Sequence, residues 1–559
     1  MRKALSVALL LVLLCSMPAV AEEAAGTVDY AAWGANLPFV PEGETVTLKI
    51  AVPQSADNYD WDQVWFWKWA SEAMNIHFEV EQIPDASVDQ RVNLMFASGE
   101  VPDILFGIGL STANLVKYGQ YEQQLLPINA YITEELTPNL YAWSQEESFE
   151  NCICPDGNQY VFPYIDRLVF NSGNGHPIYV NKEWMDELGY EMPTTVEELT
   201  ELLRAFKADD PDCIPMGGSA MGISYVMTHL QNAYGLQTIS GDNYGIQPSL
   251  RRSQDLVVPC ATPEYKEYLT TMHTWYAEGL ISPDFFTMDR VTDMAQAAEG
   301  KYGAWAYPYD QANPDLEAVQ KWYAVPSLLS TTNDVYSVPR SSASVRPGNA
   351  VISADTEYPE LCMKFMDFFY SPLGTIYGWY GPMAGTADTL DMVGGWYADE
   401  NGDIQYVDVD NGKFSSWYQY SIGCIAPNSG ARMNNRCELG WDSSKYSTTA
   451  LLQHFAGIEP QPEKRDPNIA SQFPHYTLYT YDTLHLAEDQ FNTQYVYFDE
   501  ETAIQVQDLQ TVIRNYVTTE TAKFITGARS LDEFDAYLEE LEAIGVDEYL
   551  QYYKDVTGR

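Results

Sequence analysis

Residues 91–106 read RVNLMFASGEVPDILF, and the fold class turns on this stretch. Counting from just before it, Val88, Val92 and Met95 recur at helical spacing, which predicts an amphipathic helix over 88–98. Gly99 stands where a left-handed residue ends such a helix, because it has no Cβ to resist a positive φ. Val101–Phe106 is then short and continuously apolar, as suits a strand in the middle of a sheet covered on both faces. Upstream, Thr45–Val52 (TVTLKIAV) alternates as a strand that Pro53-Gln54-Ser55 ends. Trp61–Met74 reads as a helix whose Trp61, Trp65 and Trp69 fall one turn apart, a core stripe. Asn75–Ile83 (NIHFEVEQI) alternates again, with His77, Glu79 and Glu81 outward. Helix and strand therefore alternate from the start, which predicts a layered α/β architecture.

Downstream the pattern continues. Thr194 and Glu197 have the spacing of a capping box before an apolar run to Phe206. Between Glu264 and Gly279, Tyr265, Tyr268, Leu269, Met272, Trp275 and Tyr276 follow the helical period, and Glu360–Tyr370 and Ala503–Phe524 do likewise. A chain of 559 residues exceeds what one core sustains, so two or more lobes are expected. The sequence shows no internal repeat.

Arg2 and Lys3, the apolar stretch Ala4–Leu14 and the small residues Ala19-Val20-Ala21 have the anatomy of a secretory signal over residues 1–21. Cys15 offers a second reading, a lipid attachment point, although the bulky Leu14 precedes it. Residues 22–44 read as a tether. The formal charge of −49 opposes binding to nucleic acid or anionic membranes, and no basic cluster offsets it. Of the cysteines beyond the signal, Cys424 and Cys437 are the candidates for a bridge, and Cys362 sits on an amphipathic helix as a buried thiol. Cys152-Ile153-Cys154 has the wrong spacing for zinc.

Several ordered segments resemble the large lipoprotein-type extracellular solute-binding proteins of family 1. They are Arg91–Phe106 itself, DGNQYVFP at 156–163, IYVNKEWMDELGYEMPTTVEELTELLRAF at 178–206, WYAEGLISPDF at 275–285, Tyr358–Gly381 and the C-terminal block 523–556. The resemblance spans nearly the whole chain after the signal. It implies a type II periplasmic-binding-protein-like fold: two α/β lobes, a hinge and an inter-lobe cleft, with a helical C-terminal extension. The expected division is 45–173 plus about 303–345 for the N-terminal lobe, and 174–302 plus about 346–559 for the C-terminal lobe. It further implies a secreted, cell-surface or periplasmic monomer that captures an oligosaccharide for the permease subunits of an ABC transporter. Family members often carry a calcium loop before the strand that begins at Ile214. Here Lys207-Ala208-Asp209-Asp210-Pro211-Asp212-Cys213 is shortened and lacks alternating oxygen ligands, so that calcium site is expected to be missing.

A sugar site needs aromatic platforms beside hydrogen-bonding side chains. Gln54, Asp57 and Asn58 follow the first strand, where ligands of α/β sheets lie, although turn chemistry explains Asp57 and Asn58 equally well. Tyr164, Asp166 and Arg167 stand where the chain approaches the second lobe, and Arg167 either bridges the hinge or pairs with an acidic sugar. Trp305 and Tyr307 end a short strand, facing cleft or core. Trp379, Tyr380, Trp396, Trp417 and Trp441 lie among glycines and prolines, where packing competes with binding. No catalytic motif or metal cluster stands in a supporting context, and no cofactor is expected. A secreted polysaccharide-degrading enzyme and a sensory or peptide-binding protein on the same scaffold are the alternatives. Turnover of the sugar would mark the enzyme.

Overall fold

The computed structural model describes residues 27–54, 59–145, 147–165, 178–218, 229–236, 245–248, 255–306, 318, 321–334, 345–392, 394–407, 421, 425, 448–459 and 495–559. The strands are β1 (Thr47–Gln54), β2 (His77–Pro84), β3 (Ile104–Phe106), β4 (Val161–Ile165), β5 (Tyr179–Asn181), β6 (Ile214–Gly217), β7 (Gln247–Pro248), β8 (Leu256–Val257), β9 (Tyr302–Trp305), β10 (Trp322–Ala324), β11 (Val345–Ile352), β12 (Trp396–Ala398) and β13 (Ile404–Tyr406). The principal helices are α1 (Trp65–Met74), α2 (Val88–Ser98), α3 (Val196–Asp209), α4 (Pro263–Ala277), α5 (Arg290–Ala298), α6 (Pro359–Phe368), α7 (Pro372–Trp379), α8 (Glu500–Thr526), α9 (Phe534–Ile544) and α10 (Val546–Thr557).

The alternation in 47–54 and 77–84 produces two parallel strands, with His77, Glu79 and Glu81 exposed as their spacing requires. They belong to a five-stranded sheet of order β2-β1-β3-β11-β4, in which β3 runs parallel to β1 and β11 antiparallel to both β3 and β4. A second sheet has the order β10-β5-β9-β6. There β6 runs parallel to β9, and β5 antiparallel to β9 and β10. Each sheet has its own core. The first gathers β1–β4, β11, α1, α6 and α7, and reaches Trp396, Leu451 and Leu452. The second gathers Val180 of β5 and the preceding Ile178 with α3, α4 and α8–α10. A small cluster of Tyr179, Tyr302, Trp305 and Trp322 covers part of the second sheet.

Gly99 ends α2 at φ +71°, as expected of it. Helix α1 departs from the expected single stripe. Trp65, Phe66, Trp67 and Trp69 are all buried. Trp67 faces Phe78 and Phe106 of the sheet, and Trp69 meets Tyr377 of α7. The buried arc is wide because the helix lies between a sheet and other helices, while Lys68, Ser71 and Glu72 keep one face polar. Trp61 lies outside it, half-buried in a preceding 3-10 turn. The capping box of α3 sits one residue later than its expected place. Thr195 Oγ1 accepts from Glu198 N at 3.1 Å, and Glu198 Oε2 accepts from Thr194 N at 2.8 Å. Glu197 instead accepts from Thr331 N and Oγ1, tying the helix start to a loop.

Pairing reverses part of the expected lobe division. β9 is hydrogen-bonded between β5 and β6, so residues 302–306 go with the second sheet rather than the first. β11 joins the first sheet, and α6, α7, Trp396 and Leu451–Leu452 pack on that core instead of the second. The chain returns to the second core only at Val496. The expected tether is also corrected over its described part. Ala35 and Val40 are buried, Asn139 Nδ2 donates to Gly34 O at 3.0 Å, and Tyr30 Oη donates to Asp388 Oδ1 at 2.5 Å. Enough apolar side chains (Tyr30, Trp33, Leu37, Phe39) fall in this segment to make it a packed strap on the first core. Residues 1–21, Cys15, Cys424 and Cys437 lie outside the described residues.

Candidate functional site

The chain passes from the first core to the second between Ile165 and Ile178, back between Leu328 and Val345, and across again between Leu452 and Val496. The first two crossings fix which sheet edges face one another. β4 ends and β11 begins at the same edge, since Ile165 pairs with Val345, and β3 ends there too because Phe106 pairs with Ala350. In the second sheet the crossings meet Tyr179 at the start of β5 and Ala324 at the end of β10, which pair. Trp305 and Gly217, ending β9 and β6, share that edge. The carboxyl ends of the parallel strands in both sheets thus line the region between crossings, the position at which open α/β sheets hold ligands.

The third crossing arrives as Tyr495-Val496-Tyr497-Phe498 and straddles both halves. Val496 and Phe498 enter the second core, while Tyr497 packs on the first and its hydroxyl donates to Asn151 O at 3.0 Å. Asn151 Nδ2 donates in turn to Val345 O at 3.1 Å, and Thr112 Oγ1 to Val496 O at 3.2 Å. Two crossings are thereby pinned at one point, which the sequence reading missed. A continuous apolar and aromatic run, Tyr-Val-Tyr-Phe, with both faces apolar was the available signal.

On the first edge, Gln54 is half-buried at the end of β1. The chain re-emerges after it at Tyr59–Trp61, held by Gln82, whose Oε1 accepts from Trp61 N at 3.0 Å and whose Nε2 donates to Tyr59 O at 3.2 Å. Tyr164 is half-buried opposite Arg346 in the register. Gly348 has to be glycine, because a Cβ there would lie 2.5 Å from Phe162 O at the irregularity in β11. Asp57, Asn58, Asp166, Arg167, Tyr307, Trp417 and Trp441 lie outside the described residues.

Two expected platforms are core residues. Trp305 is 0% exposed, and its Nε1 donates to both carboxylate oxygens of Asp293 in α5, at 3.1 and 3.2 Å. Tyr302 Oη donates to the same carboxylate at 3.0 Å. The indole turned inward because a buried carboxylate needs donors. Trp396 is likewise fully buried, with Nε1 donating to Gly381 O at 3.1 Å and its ring against Phe455. Trp379 is half-buried against the first core. Tyr380 is nearly covered, but it lies almost parallel to Tyr406 with centroids 6.1 Å apart, and Tyr406 is 39% exposed. As an exposed ring on β13 backed by another ring, Tyr406 is a better platform than either buried tryptophan.

Other chemistry is muted. Cys152, Cys154, Cys213, Cys260 and Cys362 are buried free thiols. Burial pushes Cys213 up to about 11 and Cys154, Cys260 and Cys362 up to about 12, so they stay protonated and act as core side chains. An open groove between Lys49, Glu79, Glu81 and Glu100–Pro102 lies toward the amino ends of the parallel strands, away from the crossings, and is lined by carboxylates. Among the described residues no group of three His, Cys, Asp or Glu side chains is arranged to hold a metal ion, and no helix is long and apolar enough to cross a membrane.

Residues 53–375 match the family described as bacterial extracellular solute-binding protein. The chain belongs to that family. The fructooligosaccharide ABC transporter substrate-binding protein FusA of Streptococcus pneumoniae serotype 4 (strain ATCC BAA-334 / TIGR4) is 23% identical over 479 residues, covering 82% of this chain and 80% of that one. Lipoprotein LipO of Bacillus subtilis (strain 168) is 25% identical over 279 residues, 47% of this chain and 50% of its own length. FusA in complex with kestose superposes with a TM-score of 0.68 at 19% identity, over 91% of this chain and 98% of that one. Alginate-binding protein AlgQ2, solved without calcium ion, gives 0.66 at 18% identity over 95% and 100%. The fold is therefore that of a type II periplasmic-binding-protein-like solute-binding protein, as the sequence led one to expect. FusA and AlgQ2 are binding proteins by their names.

Proposed function

We propose that this chain is the substrate-binding component of an ABC importer, which encloses an uncharged oligosaccharide between its two α/β halves and hands it on chemically unchanged. The observation that carries the reading is the 479-residue match to a fructooligosaccharide-binding relative, because it runs through both cores and the segments joining them. The geometry supports it. Two separately packed halves joined at the carboxyl ends of their strands can rotate about the crossings and shut on a solute there. Gln54 and Tyr164 then supply hydrogen-bonding groups, Tyr406 backed by Tyr380 supplies a flat face, and permease subunits receive the closed form. A formal charge of −49 opposes a long polyanion, so fructan-type oligosaccharides are favoured over polyuronates. Buried protonated thiols and the lack of a catalytic motif fit capture without turnover. On this reading the protein works as a monomer outside the cell membrane.

Isothermal titration of the protein with kestose, nystose and an oligogalacturonate series tests this. Binding of a neutral oligosaccharide that chromatography recovers intact is the expected result. Tyr406→Ala should weaken that binding by about tenfold, the value of one stacked face. Release of shortened sugars would make the protein an enzyme, and binding of peptides alone would remove the sugar reading.

A further inference from the structure

The edge at which the crossings meet carries an irregularity in β11. From Pro347 to Val351 this strand advances four residues while β4 advances two, from Pro163 to Val161, so the extra residues bulge between them. Gly348 clears the backbone of Phe162 there, and Asn349 follows it. The next residue, Ala350, pairs with Phe106 at the end of β3, so Asn349 stands level with the chain that leaves β3 as Gly107-Ile108-Gly109. The two segments touch. A Cβ built on Gly109 would lie 2.7 Å from Asn349 Oδ1, which places the side-chain amide against the bare backbone of residue 109. Gly109 is exposed and Asn349 half-buried, so the amide lies where solvent reaches the edge. Gly107 has a positive φ of +78° but Gly109 has not, so at 109 it is room for Asn349, not a turn, that calls for glycine. The same loop runs on into the short helix Thr112–Leu115. There Thr112 is bonded to Val496 O, and Ala113 packs on the second core.

We propose that Asn349 is a solute-binding residue, its amide aimed by the bulge and seated by Gly109 to take two neighbouring hydroxyls of an uncharged sugar at the carboxyl end of β3. The assignment rests on the reading of the protein as an oligosaccharide-capturing component. A side-chain amide sets an acceptor beside a donor, which suits adjacent hydroxyls that each do both, and it offers no cation to a sugar carboxylate. Gly109 is a positioning residue in this arrangement. A solute held there is anchored to the first half only a few residues from a point where that half meets the second.

The test titrates the full chain with kestose and nystose as the parent, Asn349→Ala, Gly109→Ala and the double variant, and measures the Tm of each without sugar. Asn349→Ala should lose about tenfold in affinity, the effect of leaving hydroxyls unpaired. Gly109→Ala keeps the amide but pushes it aside, and should lose about fivefold. Once Asn349 is truncated the added methyl displaces nothing, so the double variant should bind like Asn349→Ala alone. All four should melt within about 2 °C of one another. Parent-like affinity in Asn349→Ala overturns the proposal and leaves the import reading standing. Losses that multiply in the double variant overturn the seating by Gly109. An affinity loss that comes with a Tm more than about 5 °C lower makes Asn349 a structural part of the bulge and also overturns it. A parent that binds neither sugar overturns the fructan reading itself, and this assignment with it.

Discussion

Replacing Trp305 by phenylalanine separates the two roles that its place at a strand end allows. In the structure the indole is fully buried and donates to Asp293, itself only 2% exposed. A hydrogen bond to a charged group is worth about 1.5–3 kcal/mol. Shrinking a buried indole to a phenyl ring adds about 1 kcal/mol for the space left behind. The combined loss is about 3 kcal/mol, which lowers the Tm of a half of this size by about 6–12 °C. Scanning calorimetry reads that shift, and titration with the bound oligosaccharide well below the transition reads affinity. Stability should fall while affinity holds within about threefold, under 0.7 kcal/mol. A variant that melts with the parent but loses tenfold or more in affinity would refute the inward placement of Trp305 and return it to the cleft.

Two further outcomes follow from burial and from the crossings. Burial pushes the Asp367 carboxyl up to about 6 from its ordinary 3.8, despite the donors Leu140 N and Asn139 Nδ2. The folded state therefore binds that proton more tightly than the unfolded chain, and the first core loses roughly 3 kcal/mol as pH rises from about 4 through 6. Burial likewise holds His229 in the second core down to about 4, which has the opposite sign: its contribution is present above about 6.5 and is lost as pH falls toward 4. Denaturation curves across pH 4–7 should show Asp367→Asn without the parent's downward slope in the first core, and an unchanged slope would dispose of the assignment. Tyr497→Ala removes the ring that pins the third crossing, so the unliganded protein should expand in small-angle scattering while the sugar-bound form keeps the parent's radius. Equal radii in both states would show that Tyr497 does not restrain opening.

What could be read from residues alone followed the range of the interactions. β1, β2 and α2 were legible because alternation, helical spacing and the stop at Gly99 are local. The sheet to which 302–305 belongs was not, since YGAW is apolar on both faces and fits the middle of either sheet; its neighbours lie more than eighty residues away, in β5 and β6. Whether Trp305 faces cleft or core stayed open for a related reason. The clue was Asp293, a carboxylate whose position on α5 turns it inward, where only an inward-facing N–H could satisfy it. Trp396 was open in the same way, because glycine and proline around a tryptophan mark irregular backbone but do not decide exposure. Gln54 ends β1 and Tyr164 lies in β4, positions that local alternation and spacing reach, whereas the exposure of Tyr406 over Tyr380 depends on a ring pairing that no local pattern shows.

The strap at the amino end divides mechanical duty between the halves. Residues 28–40 are fastened to the first core through Tyr30 on Asp388, Gly34 on Asn139, and Phe39 and Val40 on Met74. A pull applied to Val28 would be met by one body alone, ahead of all three crossings. Were the molecule held by its beginning, the fastened body would take the load and the other half would keep its freedom to close.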